Sequence, residues 1–224
     1  MAKNVAHHVL SEALAPLVTV SDLVLTVGGH TLTRELSFEL VASNISCLVG
    51  PSGVGKSTLL RAIARADRAA CAEISFPVAN GAANRVASMS QGEVLLPWLT
   101  VRQNIELPMS LGMQARDGEF VARLLDLVEL NELALRYPDE LSGGEKQRAS
   151  LARTLSLDAD ILLLDEPFSR LDPRLRSTLI ERLRRWVSQR GCAALIVSHQ
   201  LDDVALLADR ILELRGFPAF IEAR

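Results

Sequence analysis

Ile45-Ser46-Cys47-Leu48-Val49-Gly50-Pro51-Ser52-Gly53-Val54-Gly55-Lys56-Ser57-Thr58 is the stretch that decides the fold of this chain. A short, nearly continuous apolar run ends at Gly50, and a helical pattern opens at Lys56. Such a run reads as a strand buried on both faces. Gly50, Gly55, Lys56 and Ser57 satisfy the phosphate-loop spacing G-x-x-x-x-G-K-[ST], in the strand-to-helix setting that the motif requires. Glycines let backbone N–H groups curl around phosphate oxygens, and the helix N-terminus adds positive potential. The loop from Gly50 to Thr58 is therefore expected to cradle a nucleoside triphosphate. Lys56 reaches the β- and γ-phosphates in this reading, and the Ser57 hydroxyl holds Mg²⁺.

Further along, Ile161-Leu162-Leu163-Leu164-Asp165-Glu166-Pro167 places two carboxylates at the exit of another buried strand. Ligands of open α/β sheets sit at the carboxyl ends of strands. An acidic pair at a strand end is common by itself; beside a phosphate loop it reads as hydrolytic machinery. Asp165 is expected to orient Mg²⁺, through water, and Glu166 to polarise the attacking water. His199 follows an apolar run at 193–197, beyond the acidic pair in the chain. A lone histidine is usually structural, but a strand-end position in this company favours catalysis.

Strand-like runs appear at 18–27, 36–41, 45–49, 72–76, 86–89, 161–164, 193–197 and 211–214. Helical patterns lie at 56–65, 118–130, 144–155, 173–189 and 201–208. Strands alternating with helices imply an α/β fold with a largely parallel sheet flanked by helices. Residues 100–136 break the rhythm, being helical without a convincing strand. Phe120, Leu124, Leu127 and Val128 recur there at helical spacing, as core packing requires.

The 224 residues, 49% of them hydrophobic, can bury one substantial core. A net charge of −3 gives no electrostatic case for nucleic-acid binding, and Arg182, Arg184 and Arg185 read as the solvated side of a helix. Cys47, Cys71 and Cys192 lie far apart without a CxxC pair, which disfavours a metal site or a disulfide framework. Cys47 and Cys192 read as small core residues, in keeping with a reducing cytosol. Met1 to Pro16 has no continuous apolar segment, so a signal peptide is not expected. Nothing approaches the roughly 20 apolar residues of a membrane span.

With Leu141-Ser142-Gly143-Gly144-Glu145-Lys146-Gln147-Arg148 lying between the two strand-end sites, the chain resembles the ATP-binding subunit of an ABC transporter, from about residue 17 to about residue 221. The resemblance implies a phosphate-loop NTPase core with an N-terminal antiparallel β portion and an inserted helical sub-domain. It divides the chain into an N-terminal extension, 1–16, and one domain, 17–224, with the sub-domain at about 92–158. The octapeptide resembles the family signature. Ser142 can cap the following helix, and Glu145 three residues on completes a capping box. The family role adds a second anion site at Ser142, Gly143 and Gly144, which implies ATP sandwiched between two copies facing head to tail. Gln91 resembles the residue that contacts Mg²⁺ and the attacking water, and His199 the histidine at the γ-phosphate. Asp172 resembles the aspartate that communicates across the dimer; an N-cap role for the helix opening at Pro173 is compatible with that.

Two positions depart from the family pattern. Arg170 stands where a small residue is usual, and Val27 falls where an aromatic usually stacks on adenine. Leu95-Leu96-Pro97-Trp98-Leu99-Thr100-Val101-Arg102-Gln103-Asn104 is similar to nitrate, sulfonate and taurine importer ATPases. So are Ser198-His199-Gln200-Leu201-Asp202-Asp203 and Gly216-Phe217-Pro218-Ala219-Phe220-Ile221. Asn104-Ile105-Glu106-Leu107-Pro108-Met109 also resembles lipoprotein-release and macrolide-export ATPases. The number of matching segments favours an importer of a small organic or inorganic anion. The resemblance implies membrane-spanning permease subunits, a solute-binding protein reached through them, and a peripheral place on the cytoplasmic face of the inner membrane. No C-terminal regulatory domain is expected. Pro97-Trp98-Leu99 reads either as a surface for the permease or as packing within the helical segment.

Overall fold

The computed structural model describes residues 16–66, 73–77, 84–91, 95–111 and 118–223. Its centre is a six-stranded sheet. The strands are β5 (Ile45–Val49), β7 (Val86–Met89), β8 (Ile161–Asp165), β9 (Ala193–Val197), β10 (Arg210–Arg215) and β11 (Phe220–Ala223), in the order β11-β10-β5-β9-β8-β7. All neighbours are parallel except the antiparallel edge pair β10 and β11. The edge strand at Phe220–Ala223 has no counterpart among the strand-like runs expected from sequence.

Strand alternation divides the core. Leu162, Leu164, Ala194 and Ile196 point to one face, where they join a buried cluster with residues of α2 (Val101–Leu111), α3 (Gly118–Leu127), α4 (Gly143–Leu155) and α5 (Pro173–Arg190). Ile161, Leu163, Ala193 and Leu195 point to the other, against α1 (Lys56–Ala66) and a three-stranded antiparallel sheet. That sheet is made of β1 (Pro16–Leu23), β4 (Leu36–Val41) and β6 (Ile74–Ser75) in the order β4-β1-β6. One face is thus helical, while β structure shares the other. Burying each leucine of this sandwich contributes about 1.5–3 kcal/mol relative to exposure.

Sequence and structure differ in places. The expected strand 18–27 is two strands, β1 and the short β2 (Thr26–Val27), because Asp22 turns into the left-handed region at φ 53° and its N–H bonds to Ser37 Oγ. β2 pairs with β3 (His30–Thr31) through Gly28-Gly29, whose φ of 56° and 79° suits a tight hairpin turn. The strand expected at 72–76 is realised as β6, and Cys71 lies outside the described residues. The helix expected over 118–130 ends at Leu127, with Glu129 at φ 54°. Arg148 and Arg182 donate to the carbonyls of Asp126, Leu127, Val128 and Glu129 there. Cations at a helix C-terminus stabilise its unsatisfied carbonyls. Arg182 and Arg184 therefore hold neighbouring elements rather than facing only solvent, Arg184 through Asp209 and the Leu207 carbonyl. Burial lifts the thiol of Cys47 to about 12 and that of Cys192 to about 11, as suits inert core residues.

Candidate nucleotide site

The register of the parallel strands assembles the site. Leu48 is level with Val197, and Asp165 with Val197, so the loops after β5, β8 and β9 leave the same sheet edge. Met89 is level with Leu164, which brings Gln91, two residues past β7, to the same edge. Gly50, Glu166 and His199 thus leave three adjacent strands whose spacing is about 4.8 Å.

Gly50 has φ 149°, and a Cβ there would stand 2.6 Å from the Leu214 carbonyl oxygen, so only glycine fits where the loop leaves the sheet. Lys56 is buried, and its Nζ donates to the carbonyls of Gly50 and Pro51, both at 2.8 Å. Burial lowers the Lys56 pKa below its ordinary value, while the carboxylates of Glu166 and Asp165 act in the opposite direction. A cavity of about 500 Å³ is lined by Gly53, Gly55, Lys56, Ser57, Glu166 and His199, among others. Phosphate-loop, carboxylate and histidine residues, expected separately from sequence, meet in that one cavity.

Asp165 is buried, and its Oδ1 has no hydrogen-bond partner among the described residues. A buried carboxylate oxygen without a partner is costly unless something positive or a donor comes to it. Ser57, Gln91 and Asp165 line a second cavity of about 230 Å³. Oxygen donors of this kind suit a hard divalent cation, so the residues fit Mg²⁺. His199 Nε2 lies 2.7 Å from Glu166 Oε1, within hydrogen-bond distance, and the imidazole is the more exposed of the two side chains. Glu166 itself sits at φ 52°.

The signature segment lies at the start of α4. The Ser142 Oγ accepts from Glu145 N–H at 3.3 Å, and Glu145 Oε2 accepts from the Ser142 N–H and hydroxyl, both at 2.7 Å. The capping box expected from sequence is therefore closed, and such a cap is worth about 1 kcal/mol. The bond from the Ser142 hydroxyl, followed by that from its backbone, lowers the Glu145 pKa. Asp172 caps α5, accepting from Arg174 and Leu175 N–H at 3.1 Å each. Ser142 and Asp172 do not line the cavity around Lys56. Sequence reasoning passed over Gln147, although it belongs to the signature string: its amide reaches Glu166 and the loop beyond it.

The β2–β3 hairpin abuts the phosphate loop, since Leu32, just past β3, lines the cavity around Lys56. Val27 on that hairpin is 51% exposed and offers no aromatic face. Replacing Val27 by Tyr should tighten ATP binding, because a base stacked on an aromatic ring gains about 1–3 kcal/mol. Equilibrium titrations with ATP and GTP check this. Unchanged affinities would mean that another side chain already packs against the base.

A parallel sheet with a glycine loop, a strand-end carboxylate pair and a histidine on one edge defines a phosphate-loop nucleotide hydrolase. The ABC transporter family model matches residues 33–169. The chain is 38% identical over 207 residues to the aliphatic sulfonates import ATP-binding protein of Paracoccus denitrificans, covering 92% of this chain and 82% of that one. It is 37% identical to the nitrate import ATP-binding protein of Synechococcus elongatus, over 86% of this chain and 30% of that larger protein. Among solved structures, a dimeric ATP-binding cassette in a post-hydrolysis state with ADP and Pi superposes with a TM-score of 0.78 at 22% identity, covering 92% of this chain and 97% of that one. The chain belongs to the ABC transporter family. It is an ATP-binding, ATP-hydrolysing subunit.

Proposed function

We propose that this chain hydrolyses ATP to power import of a small anion, with Glu166 as the carboxylate that takes the proton of the attacking water. One observation carries the reading: the phosphate loop, Asp165-Glu166 and His199 leave one sheet edge in register, with the buried Asp165 Oδ1 lacking a partner among the described residues. The water oxygen bonds to the γ-phosphorus as the bond to the β–γ bridging oxygen breaks, and that electron pair leaves with ADP. Glu166 orients the water and accepts its proton, and His199 holds the Glu166 carboxylate in place. The loop N–H groups and Lys56 stabilise the charge on the transferred phosphoryl oxygens. Mg²⁺, held by Ser57, Gln91 and Asp165, supplies further positive charge at the phosphate oxygens when bound. Asp172 and the signature residues Ser142, Gly143 and Gly144 complete the nucleotide sites across a head-to-tail dimer of two copies.

The anion class follows from relatives named as sulfonate, nitrate and sulfate/thiosulfate import subunits. The names of those relatives, import ATP-binding subunits, support membrane-spanning permease subunits as partners, with a solute-binding protein delivering the anion to them. No helix among the described residues is long and apolar enough to cross a membrane. In this reading the subunit sits peripherally on the cytoplasmic face of the inner membrane, and the helices between β7 and β8, at about 92–158, form a sub-domain toward the permease.

The loop before α2 supports that direction. Asn104 is fully buried, and its amide donates to the carbonyls of Leu96, Leu99 and Thr100 while accepting from Leu96 N–H. Thr100 and Gln103 close a capping box at the helix start. The loop so pinned leaves Trp98 69% exposed. An exposed, held tryptophan favours the docking reading over core packing. Trp98→Ala should leave ATP turnover of the isolated chain unchanged and lower the anion-stimulated turnover of the transporter in vesicles. Sulfonate, nitrate and sulfate are the anions to compare. Absence of anion-stimulated turnover in the wild-type transporter would overturn the importer reading, and an unfolded Trp98→Ala chain would show that Trp98 serves the fold of its loop rather than docking.

A further inference from the structure

Gln147 lies on the second turn of α4 and is 8% exposed. Its Nε2 donates to the Glu166 carbonyl at 2.6 Å and to Ser169 Oγ at 3.1 Å, and its Oε1 accepts from Arg170 N–H at 3.0 Å. A carboxamide can make about four hydrogen bonds, and three of these go to the loop that carries Glu166. The same loop packs against the first turn of α4, where a Cβ on Gly144 would stand 2.9 Å from the Arg170 carbonyl oxygen.

Glu166 needs such support. Its φ of 52° is left-handed, a conformation that non-glycine residues hold only when their surroundings impose it. On one side, the Glu166 N–H donates to the Val197 carbonyl of β9 at 3.1 Å. On the other, the carbonyl is held by Gln147. The first anchor is part of the rigid sheet edge, and the second is a single side chain from another helix. Gln147 also lines a cleft of about 360 Å³ together with Gln91, Asp165 and Glu166.

We propose that Gln147 is a positioning residue for hydrolysis: by clamping the Glu166 backbone in its left-handed turn, it aims the carboxylate into the cleft shared with Gln91 and Asp165. The proposal rests on the reading of Glu166 as the proton-accepting carboxylate. In this proposal Gln147 acts through the Glu166 backbone, to which its amide is bonded, rather than on the reacting atoms themselves. Its contribution is directional, and misplacement of a reacting group by about 1 Å can cost about 10²-fold in rate.

The test uses the purified full chain. Gln147→Met keeps the side-chain length but removes both donors and the acceptor, and Gln147→Glu keeps the acceptor for Arg170 while losing both donors. Both should lower kcat for ATP by about 10- to 100-fold, with KM and labelled-ATP affinity held within about twofold. The decisive arm is a double-mutant cycle. In a Glu166→Gln background, Gln147→Met should change the residual rate by less than about twofold, because a group that acts through Glu166 has nothing left to aim. An equal loss in both backgrounds, a raised KM with kcat intact, or wild-type kcat would each overturn the proposal. If Gln147→Met fails to fold by circular dichroism, Ser169→Ala, which removes one of the acceptors, carries the same cycle with a smaller expected loss. Failure of the underlying reading shows separately, as wild-type turnover in Glu166→Gln alone.

Discussion

Glu166→Gln should leave ATP binding intact and lower steady-state turnover by about 10²-fold or more, since an aligned general base contributes about 10²–10⁴. The substitution is close to isosteric. The new amide still has an oxygen to accept from His199 Nε2, which lies 2.7 Å from the native carboxylate, so the loop keeps its contact with the imidazole. What is lost is the capacity to take a proton from water. Labelled-ATP titration and phosphate release, measured on the same preparation, separate the two effects. Near wild-type hydrolysis would remove Glu166 from its role and leave the pair Asp165-Glu166 as a cation site alone.

The second large effect concerns composition of the site from two copies. In a Glu166→Gln background, expected to trap bound ATP by slowing its hydrolysis, a Lys56→Ala subunit is mixed with a Ser142→Arg subunit carrying a different tag, and the heterodimer is isolated. One interface site then carries both lesions, and the other has an intact Lys56 facing an intact Ser142. The heterodimer should occlude one ATP, while either homodimer occludes little because both of its sites are damaged. If Lys56 and Ser142 served the same site within one subunit, every heterodimer site would be broken and no occlusion would return. The motive is structural: Ser142 heads a capped helix yet lies outside the lining of the Lys56 cavity in its own chain.

Much of this arrangement is legible in the sequence for a definite reason. Strands buried on both faces, such as Ile161–Asp165 and Ala193–Val197, must be apolar throughout, so each announces itself and the polar residue at its end. Helix starts are nearly as plain. The Ser142 and Glu145 capping box and the Asp172 cap are local chemistry, written within four residues. What stayed hidden depends on contacts between distant segments. The break between β1 and β2 is set by Asp22 bonding to Ser37, fifteen positions away, within a run that otherwise looks continuous. Pro97-Trp98-Leu99 reads in sequence as either surface or core, and only the Asn104 amide, bonded to the Leu96 and Leu99 carbonyls on either side, fixes the loop that leaves Trp98 exposed. Gln147 stood in plain view inside the signature, but nothing in its spacing says that its amide crosses to residues 166–170. The edge strand Phe220–Ala223 pairs with β10 as a hairpin across Gly216, with no alternating pattern strong enough to forecast it.

The closed capping box at Ser142 has a consequence for ligand exchange. The hydroxyl proton of Ser142 is already donated, at 2.7 Å, to the carboxylate of Glu145 on the same helix. This corner of the molecule is ordered before any second copy approaches, so little conformational entropy remains to be lost there. An anion arriving at Ser142 does not meet an idle donor. It must displace an internal acid from a bond already made, and its net gain is the difference between two charge-assisted contacts rather than the whole of one. In the proposed dimer, a phosphate at Ser142 and the Glu145 carboxylate are thus rivals for a single proton.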